Sequence, residues 1–362
     1  MLQLDAAQVA ARLDRLALID ALERAFRGDS HAPHREHHRI GGPNARGGRG
    51  GGSSHEGVDA DGACACASAS AGASASASAG AGAGASAGGD GDGDGDGDGE
   101  NMLLVMPAWR PGGCIGVKLV TVFPGNSALG HPSVHGTYSL FDGTTGIPLA
   151  SLDGTELTRR RTAAASALAA RYLARTDASR LLMVGTGALA VHVIESHCRV
   201  RPIRSVKIWG RRVDRAAALV GELSGRGYDV EATEDLEAGV RWADIVSCAT
   251  LAATPLVEGR WLRPGQHIDL IGAFTPTMRE ADDAALSCSS IYLDTHSALT
   301  ESGELVQGLA AGAITADCVL GTLSDLVRGR GGRRSEDEIT LFKSVGCAIE
   351  DLAAAELAVR GN

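Results

Sequence analysis

Apolar residues recur along this chain with two spacings. Between residues 5 and 26, Leu13, Leu16, Ile19, Leu22 and Phe26 keep helical spacing. Asp5 with Gln8 forms a capping box and Asp14 supplies a second start, so two short helices are expected. Extended runs follow at Asn101–Trp109 and from Cys114 to Asn126, and a third at Thr137–Asp142 turns at Gly143–Gly146 and returns as Pro148–Leu152. They predict a mostly antiparallel sheet. Asp153-Gly-Thr-Glu156 has the form of a capping box opening a long alanine-rich helix, Leu157 to Arg175. Beyond it, strands at 181–184, 205–209, 229–232, 242–250, 267–272 and 291–294 alternate with helices, among them 188–199 and 213–223. That alternation predicts an α/β class with a doubly wound parallel sheet. The segment 338–351 reads as a Ser/Gly-containing turn running into a final amphipathic helix, 348–360.

The parallel region opens on Leu181-Leu-Met-Val-Gly-Thr-Gly-Ala-Leu-Ala190. An apolar strand runs into a glycine turn and a helix start, with the next strand at βαβ spacing. Gly185 permits the turn, Gly187 lets the backbone approach a pyrophosphate, and Ala190 allows helix and strand to pack closely. The helix N-terminus then offers free N–H groups and a positive dipole end to the phosphates. Gly185, Thr186, Gly187 and Ala188 are therefore the expected dinucleotide cradle. Thr250, Gly272, Ala273 and Asp294 fall at the carboxyl ends of later strands, where ligands of such sheets bind.

Composition changes the picture in one place. From about Gly41 to Glu100 the chain is Gly/Ala/Ser repeats ending in an Asp-Gly run, with almost no large apolar residue, and this insert is expected to be disordered. Residues 43–100 carry −7 of the net −10, so the acidity belongs mostly to the insert. Neither figure favours nucleic acid or an anionic membrane as a partner. Met1–Phe26 is interrupted by charges, so no signal peptide is expected, and no apolar run approaches a membrane span. Eight cysteines include no CxxC pair, so no metal site is expected. Cys198, Cys248, Cys288, Cys318 and Cys347 read as buried thiols of a cytoplasmic protein.

Several cations lie in unusual settings. Arg35 stands in an extended, histidine-rich segment, either a solvated edge strand or an anion-binding one. Lys118 interrupts an apolar strand, either at an edge with its head in water or held in a pocket for an anion or a proton transfer. Arg159, Arg160 and Arg161 crowd a helix start, where they oppose the dipole unless something anionic lies close by; the alternative is a solvated basic turn. After the strand ending at Trp209 come Arg211 and Arg212, where arginine favours a ribose 2′-phosphate.

Taken together the chain resembles the ornithine cyclodeaminase/mu-crystallin family. The matching stretches are Gly116-Val-Lys-Leu-Val with Phe123-Pro-Gly-Asn126, Arg161-Thr-Ala-Ala, Gly185 to Ala190 and Ala243-Asp-Ile-Val. Gly265 through Gly272-Ala273, Asp294, and Phe342-Lys-Ser-Val-Gly346 with Glu350-Asp351-Leu complete them. They span nearly all of the chain except the insert. The resemblance implies a homodimer. Each subunit would pair an α+β substrate-binding and dimerisation domain (1–160 and 330–362) with a Rossmann-type dinucleotide domain (161–329). It implies that Arg35, Lys118 and Arg161 hold a substrate carboxylate, that Lys118 can donate a proton, and that Ser344 and Val345 lie near the nicotinamide. Within the family the chain is most similar to ketimine reductases. The implied reaction is reduction of a cyclic imino acid, Δ1-pyrroline-2-carboxylate or Δ1-piperideine-2-carboxylate, to L-proline or L-pipecolate. NADPH is the expected cofactor, with NADH as the alternative. Phe274 follows the Gly272-Ala273 pair where the cyclodeaminases carry an Asp. A phenyl ring cannot act as a base but can wall off an apolar pocket. A cyclodeaminase-type lyase and a non-catalytic NADPH-binding protein are the competing readings.

Overall fold

In the computed structural model, residues 1–41 and 101–361 are described. The insert, read from composition as disordered, falls outside them from residue 42 to 100.

The chain opens with β1 (Leu2–Leu4), α1 (Ala6–Arg12) and α2 (Arg15–Arg27). The Asp5–Gln8 capping box forms, and Asp14 caps α2 through Ala17 N. Next come β2 (Glu36–Ile40), β3 (Asn101–Trp109), β4 (Cys114–Val122), β5 (Val134–Asp142) and β6 (Pro148–Asp153). They form a six-stranded sheet in the order β1-β6-β5-β4-β3-β2, antiparallel except where β1 joins β6. Helix α3 (Gly154–Leu173) follows. Asp153 caps it, but Glu156 turns to Arg160 instead of completing the box. Helix α3 is buried on almost every side, against α1, α2, α4 and α11 and against strands of both sheets. Its alanine run, Ala163–Ala165 with Ala167, Ala169 and Ala170, suits that place, since alanine favours helix and lets neighbours approach closely.

The second sheet contains β7 (Arg180–Val184), β8 (Ser205–Trp209), β9 (Asp229–Ala232), β10 (Ile245–Cys248) and β11 (His267–Leu270), with α4 (Leu189–Val200), α5 (Val213–Leu223) and α6 (Leu236–Trp242) in the crossovers. The chain continues through α7 (Asp283–Ser287), β12 (Ser290–Leu293), α8 (Ala298–Glu301), α9 (Gly303–Ala310), β13 (Val319–Thr322), α10 (Leu323–Val327), β14 (Thr340–Lys343) and α11 (Ala348–Arg360). The order is β13-β12-β14-β11-β10-β7-β8-β9, and every pair is parallel. Strand order reverses at β7, between β8 and β10. This is the α/β class expected: a Rossmann-type doubly wound sheet beside an α+β unit.

Three readings are corrected. Thr340–Lys343, expected within a turn, is a strand buried between β11 and β12. Four residues ending in lysine give no clear apolar run, and the charge of Lys343 is balanced by Glu304 at 3.1 Å. Strand β13 was also not foreseen. Cys288 is exposed, not buried, at the C-cap of the short helix α7. Among the described residues no helix is long and apolar enough to cross a membrane.

Candidate active site

The glycine turn lies at the point where strand order reverses. Gly185 takes φ +117°, and a Cβ there would sit 2.6 Å from the Ala249 carbonyl at the end of β10. Only glycine allows β7 and β10 to meet so closely. Thr186 packs against Gly210, just past β8. The N-cap of α4, Ala188, provides no side-chain acceptor; the Ala190 N–H donates to the Gly187 carbonyl at 2.9 Å, and the helix start offers its other N–H groups to a further partner. A pyrophosphate suits both features, the bare cradle and the uncapped helix. Arg211 and Arg212 are exposed beyond β8, and Arg212 meets Asp214 at 3.0 Å. Thr250 is held from behind: its N–H and hydroxyl both donate to Glu280 Oε1, at 2.7 and 3.0 Å.

The cations come together on the buried face of the six-stranded sheet. Lys118 pairs with Met106 on one side and Tyr138 on the other. Arg35, one residue beyond the Glu36–Val105 pair, continues the same row. Lys118 is fully buried in an interior strand, so its reading as an edge lysine does not hold. Its Nζ lies 2.7 Å from Asp351 Oδ2. Arg161, also buried, donates from Nε to Asp351 Oδ1 at 3.0 Å and from Nη1 to Glu350 Oε2 at 2.7 Å. Arg35 is buried although β2 itself is exposed. It donates to both oxygens of Glu301 and to the Val345 carbonyl, while its Nη1 is buried without a partner. The anion that three adjacent arginines called for is thus Glu350 with Asp351 for Arg161, and Glu156 for Arg160 at 2.6 Å.

A small pocket lies where Arg161, Ile271, Phe274, Ser344, Val345 and Gly346 meet. Asp294 fixes one wall, accepting from the Ser344 hydroxyl and from the N–H groups of Val345 and Gly346 at 2.9, 2.9 and 2.6 Å. Gly346 is at φ +86°, and the Arg161 guanidinium lies where a Cβ would point. Ala273 is buried beside half-buried Phe274.

Burial brings the Lys118 ammonium down to about 8, against the pull of Asp351, and the charges of Arg161 and Arg35 add to the drop. Burial lifts the Glu350 carboxyl to about 7 despite Arg161, with Asp294 and Asp351 adding to the rise. An ammonium lowered toward neutrality and a carboxyl raised toward it thus lie beside the Arg161 guanidinium, whose Nε and Nη1 are given to Asp351 and Glu350. Sequence reasoning gave no role to Glu301, Glu350 or Asp351. The available signal was a pair of carboxylates at the start of an otherwise alanine-rich helix.

A doubly wound sheet with a bare glycine cradle where its strand order reverses defines a Rossmann-type fold of the dinucleotide-binding class, here beside an α+β unit that buries a cation cluster. The chain belongs to the ornithine cyclodeaminase/mu-crystallin family, whose profile matches residues 95–361. The Δ1-pyrroline-2-carboxylate reductase of Paracoccus denitrificans is 46% identical over 256 residues, covering 70% of this chain and 81% of that one. The structure of Thermococcus litoralis Δ1-pyrroline-2-carboxylate reductase in complex with NADH and L-proline superposes with a TM-score of 0.79 at 28% identity, covering 99% of this chain and 97% of that one. An archaeal alanine dehydrogenase dimer with bound NAD superposes with a TM-score of 0.78 at 27% identity, over 99% and 95% of the two chains.

Proposed function

We propose that this protein is an NADPH-preferring reductase of cyclic imino acids, converting Δ1-pyrroline-2-carboxylate, Δ1-piperideine-2-carboxylate or both to L-proline and L-pipecolate. The observation that carries the reading is the convergence of Arg35, Lys118 and Arg161 beside a pocket walled by Phe274. The names of the Paracoccus and Thermococcus relatives support it.

Gly185, Thr186, Gly187 and Ala188 would hold the pyrophosphate, and Thr250, Ser344 and Val345 would border the nicotinamide. Bound there, the reduced nicotinamide supplies a hydride for the C=N carbon. The chain does the rest. Arg161 and the free Nη1 of Arg35 take the substrate carboxylate. Lys118, protonated below about pH 8, adds charge and keeps the imine nitrogen protonated. Phe274 excludes water from the flat ring. Among the described residues, the two carboxylates behind this wall, Glu280 and Asp294, are both occupied as acceptors of backbone amides, so neither serves as a hydrolytic base there. That favours reduction over deamination.

Arg211, with Arg212 assisting, would meet the 2′-phosphate. Arg211→Ala is expected to narrow the NADPH/NADH ratio of kcat/KM, and an unchanged ratio would remove the assignment. The division into a substrate and dimerisation unit (1–160 and 330–362) and a dinucleotide unit (161–329) belongs to the same proposal, as does a cytoplasmic homodimer. The outer face of the six-stranded sheet supports a second copy there. Trp109 faces Ile115, Pro107 faces Val117 and Val105 faces Leu119, an apolar surface with Trp109, Ile115 and Leu119 exposed. The direct test is turnover: imine-dependent NADPH oxidation with L-proline formed in step. NADPH left unoxidised by either ring size would leave a binding protein only.

A further inference from the structure

Behind the strand ends that face the site lies a second buried charge cluster, which the proposed reaction does not use. Glu280, in the segment between β11 and α7, is fully buried. Its Oε1 accepts from the Thr250 N–H and hydroxyl, and its Oε2 from the N–H groups of Gly272 and Ala273 at 2.8 and 3.1 Å. Thr250 follows β10, and Gly272 and Ala273 follow β11. One carboxylate therefore ties two neighbouring strand ends through four accepted bonds. Gly272 is shaped to this contact: a Cβ there would overlap the Thr250 backbone and lie 2.6 Å from Glu280 Oε1.

Glu280 is itself held. Its N–H donates to Glu304 Oε1 at 2.8 Å, and its carbonyl accepts from Leu256 and Val257, both at 2.9 Å. Lys343 lies 3.1 Å from Glu304 Oε2 and 3.8 Å from Glu280 Oε2. It is the last residue of β14 and directly precedes Ser344. The cluster thus joins the ends of β10, β11 and β14, three strands that carry the walls of the candidate site.

We propose that Glu280 is a positioning residue for the reaction: it sets Thr250 and the Gly272-Ala273-Phe274 turn against Ser344 and Val345. The proposal rests on the reductase reading. Hydride transfer tolerates little misplacement of its partners, so a carboxylate that touches neither can still govern the rate. Glutamine cannot replace it. An amide presents a donor where two N–H groups need an acceptor, so one strand end is released. Charge balance survives, because Lys343 and Glu304 remain a buried pair. Glu280→Gln therefore separates positioning from folding.

The experiment compares wild type with Glu280→Gln in imine turnover, NADPH affinity by fluorescence, thermal stability and amide hydrogen exchange. We expect kcat to fall about 10- to 100-fold. NADPH affinity should stay close to wild type, because the phosphate cradle lies on β7 and α4, and the melting temperature should fall by only a few degrees, as buried N–H groups left short of an acceptor require. The amides of the released strand end, Thr250 or Gly272 with Ala273, should exchange faster. Wild-type kcat in the variant overturns the proposal, and so does a folded variant whose kcat and NADPH affinity fall in parallel, which marks a purely structural role. If the glutamine variant does not fold, Glu280→Asp replaces it. That variant withdraws the carboxylate by one methylene, and the same measurements apply with a smaller loss expected; full kcat there also overturns the proposal. A wild type that does not reduce imines would sink the reductase reading separately, and hydrogen exchange would then decide alone whether Glu280 holds the turn.

Discussion

The glycine turn and the cation cluster, the two parts of the proposed site, are built by opposite means. At the turn, binding capacity comes from backbone: a glycine at φ +117° and a helix start without a side-chain cap. Nothing charged has to be buried to make it. In the cluster it comes from side chains, and every cation is buried against a carboxylate from a distant part of the chain. Arg161 meets Glu350 and Asp351 on α11, and Arg35 meets Glu301 on α8. A backbone site fails when the turn is distorted. A side-chain site fails when its charge balance is broken, and the failure spreads into stability.

That contrast orders the expected effects. Arg161→Met should be the most damaging, because it leaves Glu350 and Asp351 as buried carboxylates short of a partner; such losses cost about 3–5 kcal/mol. A drop in denaturant midpoint alongside lost turnover is the expected outcome, and a variant of unchanged stability would show the cluster to be less tightly coupled than its geometry indicates.

Lys118→Met should act on the rate more than on the fold. Loss of a charge-assisted contact in a closed site costs on the order of 2–4 kcal/mol of transition-state stabilisation, roughly 30- to 1000-fold. NADPH binding should persist, and near-normal turnover would strip Lys118 of its role. The pH profile sharpens this. The ammonium is present below about 8, so kcat/KM should fall as pH rises through that value. Stability should move the other way between about 8 and the ordinary 10.5, since there the unfolded chain binds the extra proton. Both features should vanish in Lys118→Met.

Gly185→Ala tests the other region. Strain at positive φ costs on the order of 1–3 kcal/mol, and the added methyl group meets the Ala249 carbonyl. Dinucleotide affinity should drop while the cluster stays intact. An unchanged dissociation constant in a calorimetric titration would break the comparison from this side.

The smallest effect is expected from replacing residues 44–99 with a short Gly/Ser linker. Ile40 and Asn101 are cross-strand partners, so a short connection can join them, and Arg35 lies at the other end of β2. Turnover should be unchanged; a large loss in a soluble, dimeric variant would assign the insert a role.

The same contrast explains what was legible in the sequence. The turn was read because its chemistry is local: strand, glycines and helix start lie within ten residues. The doubly wound sheet was read from strand and helix periods, except for the edge strand β13 and for β14, whose four residues end in a charge neutralised by Glu304 and Glu280. Lys118 and Arg35 stood out as anomalies, but their environment could not be decided locally. Whether a strand lysine is wet or buried depends on its sheet neighbours and on Asp351, far along the chain. Glu280 is a further case. Its four accepted bonds link β10 to β11, and no local pattern announces such a contact.

The central claim is that the pocket beside Phe274 reduces an imine and does not deaminate an amino acid. One paired assay tests it most directly: purified protein with NADPH and Δ1-pyrroline-2-carboxylate, and in parallel with NAD and L-ornithine. Imine-dependent NADPH oxidation yielding L-proline is expected, with no ammonia from ornithine. Steady ammonia release, with proline formed from ornithine, would contradict it.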